Sequence, residues 1–434
     1  MQVVLISTYD MGRQPFGLAS PAAWLRKAGH DVVCADLAVS QLPVSQIQTA
    51  GMVAFHLPMH TATRLAAPLI ERVRRLNGNA QICCYGLYAS INEEYLRRIG
   101  ATHILGGEFE ADLVRLAEGL EPGGAPVAKL DFVEPDRSSL PDLSRYAKLR
   151  VLGGGRTVGY TESSRGCKHL CRHCPVVPVY QGAFRVIQRE VVLADVRQQV
   201  AAGASHITFG DPDFWNGPSH AMRIVEALHA ELPDVTFDAT IKIEHLKRHR
   251  DLLAPLRDAG CLFVTSAVES VDDDVLMKLD KGHTRADFLS VVDDFRRTGL
   301  TLVPTFIAFL PWTTRESYAE FLRVIRALDL IENVSPVQLA LRLLIPAGSR
   351  MLELDEIRGL VTGFDQRALT HQWQYADDSM NSFAARIFAI AGEAHKRGRT
   401  RTETFNTVWR ETLHEDLDLL PRAAIPYLDE PWYC

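Results

Sequence analysis

Cys167, Cys171 and Cys174 bring three thiols into eight residues at a Cys-x3-Cys-x2-Cys spacing, and no fourth cysteine lies nearby in the sequence. Whatever fold carries this loop must set three soft side chains around one centre. Three thiolates on one short loop can hold three irons of a cubane [4Fe–4S] cluster, which leaves the fourth iron open to a substrate or cofactor. Electron-transfer ferredoxins supply four cysteines instead. The competing reading is a structural zinc loop completed by His169 or His173. Structural zinc usually pairs two such knuckles, and no second one follows here. Free core cysteines are a weaker alternative, because Lys168 and Arg172 make the loop charged.

The spacing, preceded by Gly159-Tyr160-Thr161-Glu162-Ser163-Ser164-Arg165-Gly166, resembles that of the radical S-adenosylmethionine (SAM) superfamily. The resemblance implies that the amino and carboxylate groups of SAM chelate the open iron, and that one electron then cleaves a carbon–sulfur bond of the sulfonium. The protein's share is to bind, orient and exclude water. Before the third cysteine the superfamily usually has Phe, Tyr or Trp. Here it is His173, whose flat ring can still support adenine.

The 434 residues suffice for two or three domains, and the composition is globular: 47% hydrophobic, 23% charged, net charge −6. The mild acidity argues against bulk nucleic-acid binding, and the basic run 396–401 reads as a solvated helix end. Residues 299–314 are uncharged but broken by Pro304 and Pro311, so no membrane span is expected. The N-terminus reads as a strand rather than a signal peptide. Eight cysteines with three committed to a cluster do not form a disulfide framework, and an oxygen-sensitive cluster fits a reducing, cytoplasmic location.

Over residues 1–122, strands at 3–7, 31–35, 52–56, 81–85 and 103–106 alternate with helical stretches at 20–28, 61–76 and 91–99. That alternation predicts a doubly wound, Rossmann-like α/β domain. Its ligand rim would be the strand-end segments 9–17, 56–60 and 86–92. The domain resembles the cobalamin-binding domain of cobalamin-dependent radical SAM enzymes, but the Asp-x-His-x-x-Gly motif whose His ligates cobalt is absent. His56 and His60 lack its pattern and read as strand-end polar residues. Cobalamin is therefore possible but not favoured. Cys83 and Cys84 should point to opposite faces of their strand and pack there.

Residues 123–156 read as a linker. From 157 to 350, strands at 157–162, 206–209, 236–239, 263–267, 301–309 and 337–343 suit the partial (β/α)6 barrel of radical SAM enzymes, with its site at the carboxyl ends of the strands. Asp211 and Asp213 stand where the superfamily carries the group that receives the SAM amino group; a pair of turn formers is the alternative. Lys242 and Glu244 follow the third strand, and Glu269 and Ser270 the fourth. With 279–284 beyond it, the fourth strand end resembles the Glu-Ser…Lys-Gly-x-Thr stretch of cobalamin-type proteins. By that resemblance Glu269 or Ser270 binds the ribose, and Lys242 or Arg342 pairs with the SAM carboxylate. Surface or helix-cap roles stand as the alternative for each. Residues 351–434 read as a C-terminal helical domain and tail, with helices at 382–395 and 402–417. Trp373, Tyr375, Asp377 and Asp378 are placed to cover the barrel mouth.

Residues 6–9, 14–21, 164–167 and 239–246 resemble the CUAEP/CCAEP-tail radical SAM (seleno)protein group, which includes an arsinothricin-biosynthesis member. The group's tail carries a Cys-Cys or Cys-selenocysteine pair, and this chain stops at Cys434, where such a pair would begin. The resemblance implies transfer of the 3-amino-3-carboxypropyl group of SAM to trivalent arsenic. Arsenite would be the substrate, Cys434 the catalytic holding group, and an electron donor such as flavodoxin or ferredoxin the partner. The alternatives are a cobalamin-dependent radical methylase acting on an unactivated carbon, and a non-enzymatic iron–sulfur redox sensor.

Overall fold

The computed structural model describes residues 1–124, 130–152, 154–417 and 425–429. In the N-terminal part, β1 (Gln2–Ser7), β2 (Asp31–Asp36), β3 (Met52–His56), β4 (Gln81–Tyr85) and β5 (His103–Leu105) form one parallel sheet in the order β2-β1-β3-β4-β5. These strands are nearly continuous apolar runs because both faces are covered. Cys84 packs into the core on one face and Cys83 into the core on the other, as alternation requires. The helix expected at 20–28 begins earlier, at Phe16, directly after Pro15. The one expected at 91–99 is two short helices, Leu87–Ile91 and Glu93–Arg98, divided at Asn92, whose Nδ2 donates to the Tyr88 carbonyl.

The second sheet is the curled half-barrel. β6 (Lys148–Val151) and β7 (Gly154–Thr161) form an antiparallel pair at its edge. Next, β8 (Ser164–Gly166) and β9 (Phe184–Val186) form a two-stranded ribbon whose ends enclose the cysteine loop. β10 (His206–Phe209), β11 (Thr236–Thr240), β12 (Cys261–Glu269) and β13 (Thr301–Phe306) then continue the sheet parallel to β7. The strand expected at 337–343 does not form. Pro336–Leu339 is a 3-10 turn that Pro336 begins, and the sixth position keeps a single parallel bridge between Phe309 and Arg342.

The C-terminal part is less purely helical than its periodicity suggests. β14 (Val361–Asp365) and β15 (Thr370–Trp373) make a hairpin before the helices Asp378–Lys396 and Arg401–Leu413. The second helix stops short of 417 because His414 adopts a left-handed conformation. β16 (Tyr427–Leu428) returns to pair with β6. Among the described residues no helix is long and apolar enough to cross a membrane.

The expected linker is knotted into the core. Arg137 is buried and donates to both oxygens of Asp195 at 2.7 and 2.9 Å, to Gln14 Oε1 at 2.7 Å and to the Tyr160 carbonyl at 2.6 Å. One guanidinium thus ties the N-terminal domain, the helix Arg189–Ala201 and β7 together. Removing one member of a buried ion pair leaves the other charge desolvated, which costs about 3–5 kcal/mol. Arg137→Ala should lower stability by that amount in urea denaturation. A loss under about 1 kcal/mol, the range of exposed pairs, would mean that the tie is dispensable.

Candidate functional site

Gly166 closes β8 at φ +76°, where a Cβ would come within 2.4 Å of the Tyr180 ring. That left-handed turn throws the chain into the cysteine loop. Cys171 is buried, and Cys167 and Cys174 are half-buried against Val176, Val179 and Tyr180, with Leu87 and Ile91 of the N-terminal domain behind them. Burial pushes the Cys174 thiol up to about 12 and raises that of Cys167. Such thiols ionise when a metal takes them as ligands. Lys242 Nζ, buried, lies 3.6 Å from Cys171 Sγ. Three thiols of one loop, near enough to act on one another's charge, with a cation beside them fit a [4Fe–4S] cluster.

Around them stand the strand ends. Glu269, at the end of β12, holds φ +68°, a strained conformation for a residue other than glycine. Its carboxylate accepts from His173 Nε2 at 3.1 Å and from Lys281 Nζ at 3.3 Å. Burial would raise this carboxyl, but Lys281 and His173 outweigh it and hold it at about 2. Asp211 is filled by the chain itself, accepting from Ser163 N and Oγ and from Ser164 Oγ. Asp213 is fully buried and accepts from Trp215 N. Glu244 pairs with Arg248 at 2.8 Å and lies 3.6 Å from Lys242.

Three expected residues are engaged away from the thiols. Ser270 Oγ accepts from Asp272 N at the start of a helix. Arg342 lies over the Trp373 ring at 3.9 Å and donates to the Trp373 carbonyl. Asp377 caps the helix that follows it, by accepting from Ser379 N. Cys434 lies outside the described residues.

Two groups were given no site role from the sequence, although 279–284 was noted there for its resemblance. Lys281 and His283 are both buried beside Glu269; burial and the neighbouring lysines take His283 down to about 4. Their signal was Gly282-His283-Thr284, where Gly282 turns at φ +74° and Thr284 forms the capping box of the helix Arg285–Thr298. The second group is the domain junction. Buried Arg165 donates to Glu110 at 2.7 and 3.0 Å, to Glu108 at 3.0 Å and to Glu162 at 2.7 Å, with the rings of Phe16, Phe109 and Phe132 packed around it. Burial pushes the Glu162 carboxyl up to about 7. At the same junction His56, at the end of β3, packs against Gly17, where a Cβ would sit 2.1 Å from its ring, and its Nδ1 has no hydrogen-bond partner.

Residues 161–325 match the family model of the radical SAM superfamily. The chain is 24% identical over 349 residues to the hopanoid C-3 methylase of Methylococcus capsulatus, covering 74% of this chain and 66% of that protein. It is 23% identical over 264 residues to the ribosomal protein uS12 methylthiotransferase RimO of Parabacteroides distasonis, covering 57% and 60%. The chain thus spans less than two thirds of these curated relatives. Among solved structures, the cobalamin-dependent SAM radical enzyme OxsB with aqua-cobalamin superposes with a TM-score of 0.70 at 16% identity, covering 89% of this chain and 66% of that one. The radical SAM methyltransferase TsrM of Kitasatospora setae, with cobalamin and a [4Fe–4S] cluster, gives 0.59 at 18% identity, covering 76% and 73%.

Anaerobic reconstitution should load about four irons per chain, and Cys167→Ala, Cys171→Ala or Cys174→Ala should each abolish SAM cleavage. Stoichiometric zinc without iron absorbance would contradict that. The junction makes a separate prediction. A carboxyl with a raised folded pKa stabilises fully below its ordinary range and loses that contribution as the pH climbs to about 7. Glu162→Gln should flatten the fall of the urea midpoint across that window. An unchanged slope would mean that Glu162 is ionised throughout.

Proposed function

We propose that this member of the radical SAM superfamily is a cobalamin-dependent methyltransferase acting on an unactivated carbon. The observation that carries the reading is the docking of the carboxyl edge of the N-terminal sheet onto the cysteine loop through Arg165. The same two-domain layout in cobalamin-binding neighbours, and the methylase among the curated relatives, support it. Cobalamin, set aside in the sequence for want of its histidine motif, thereby becomes the favoured cofactor. The strand-end rim of that sheet, segments 9–17, 56–60 and 86–92, is where such a group would be held, although the buried His56 ring is itself packed on Gly17.

Cys167, Cys171 and Cys174 would hold a [4Fe–4S] cluster, which would supply the electron for SAM cleavage. The chain's own groups do the rest. Lys242 and Lys281 offset the thiolate charge and pair with the SAM carboxylate. Glu269, ionised and clamped by His173 and Lys281, accepts from SAM hydroxyl or ammonium donors. An electron donor of the flavodoxin or ferredoxin type completes the system. Neither the described residues nor the relatives named above add support for aminocarboxypropyl transfer to arsenite.

The test is product analysis of cluster-loaded protein with SAM and reductant, with and without cobalamin and with and without arsenite. S-adenosylhomocysteine should appear only with cobalamin present, together with 5′-deoxyadenosine. Methylthioadenosine formed on arsenite without cobalamin would overturn the reading in favour of arsenic chemistry.

A further inference from the structure

His169, Asp213 and His245 reach one point from three elements: the loop between Cys167 and Cys171, the turn after β10, and the helix Ile243–Arg248 after β11. Each offers a ligand-type atom, and these atoms all lie within 4.8 Å of one another. His169 Nε2 is 3.2 Å from His245 Nε2 and 3.7 Å from Asp213 Oδ2. His245 Nδ1 is 2.7 Å from the same Oδ2.

The two Nε2 atoms are aligned for a hydrogen bond, but the Asp213–His245 pair is not, despite its distance. Asp213 Oδ2 and His245 Nδ1 are both buried without a hydrogen-bond partner, although they face each other. A buried carboxylate oxygen and an imidazole nitrogen left unmatched are costly. Lone pairs that converge instead of bonding are what a cation satisfies. The surroundings agree. Glu244 Oε2 lies 3.4 Å from His169 Nδ1, and Arg248 holds the other Glu244 oxygen at 2.8 Å. A carboxylate on the far ring nitrogen is the outer-shell arrangement that fixes a histidine with Nε2 toward a metal. With Nδ1 as the ligand atom of His245, its 2.7 Å to Asp213 Oδ2 and the 3.7 Å from that oxygen to His169 Nε2 bracket the edge, about 3.3 Å, of a tetrahedron with metal–nitrogen bonds of about 2.0–2.1 Å.

We propose that His169, Asp213 and His245 bind one divalent transition-metal cation, of the zinc or ferrous class, as a site separate from the three cysteines. Two imidazoles and a carboxylate without thiolate select that class over soft monovalent copper and over the all-oxygen cations. Three protein ligands leave a position for water or a donor atom of the substrate. The site does not depend on which group the enzyme transfers, because metal content is read without turnover.

The probe is zinc ion titrated into the anaerobically reconstituted, cluster-loaded full chain, followed by zinc-edge X-ray absorption. One zinc per chain beyond the iron is expected, with nitrogen and oxygen neighbours at about 2.0–2.2 Å and no sulfur shell. His245→Ala and Asp213→Asn should each lose this zinc while keeping iron content and cluster absorbance. If either variant also loses its cluster, Glu244→Gln decides, since an outer-shell change should weaken zinc binding about 10–100-fold with the cluster intact. Zinc seen only in a sulfur shell near about 2.3 Å, or an affinity unchanged in Glu244→Gln, would overturn the site.

Discussion

A single guanidinium, Arg165, sits between two domains and two residues before the first of the three loop cysteines, and much of the molecule is arranged so that it can be there. Three carboxylates from both sides of the junction converge on it: Glu108 and Glu110 from the N-terminal domain, Glu162 from the end of β7. Taking such charges out of water is expensive, and only good geometry with further hydrogen bonds offsets it. Those bonds exist: Ser20 donates to Glu110, and Tyr180 donates to Glu108. One cation cannot neutralise three carboxylates, and burial accordingly raises the Glu108 and Glu162 carboxyls. For Glu110, burial acts the same way but is outweighed by Arg165, and its carboxyl is held low. Because Arg165 lies in β8, the N-terminal sheet is tied to the strand that launches the cysteine loop.

The barrel mouth follows a different electrostatic rule. Three thiols that ionise together would repel, and buried cations stand near them, Lys242 after β11 and Lys281 after the helix Asp273–Lys278. Each lysine keeps a carboxylate near it, Glu244 for the first and Glu269 for the second. Glu269 also binds His173, so the residue before the third cysteine is fixed by the strand end opposite. The strained backbone at Glu269 is held in place by these two partners.

Much of the fold was legible because its signals are local. Apolar runs separated by turn residues located every strand of the N-terminal sheet within a residue, and β10, β11 and β12 of the barrel within two. The misses have local causes too. Pro336 made a turn of a stretch that reads apolar, and helical periodicity after Met351 hid a hairpin, β14–β15, whose pairing is between strands. The linker looked polar and irregular, and nothing in its composition announced that Arg137 is buried against Asp195.

By itself the sequence marked the cysteine loop, because three thiols at fixed spacing are a candidate ligand set whatever surrounds them, and it determined the α/β alternation that delivers that loop from a strand end. The tertiary structure alone decided which distant side chains meet there. Arg165 with Glu108 and Glu110, Glu269 with Lys281, and His169 with Asp213 and His245 are brought together across β-strands and between domains. The physical reason is that a titratable side chain acquires its chemistry from burial and neighbours. Those depend on which strand ends the sheet places side by side, and the register of that sheet appears nowhere in the local pattern of residues.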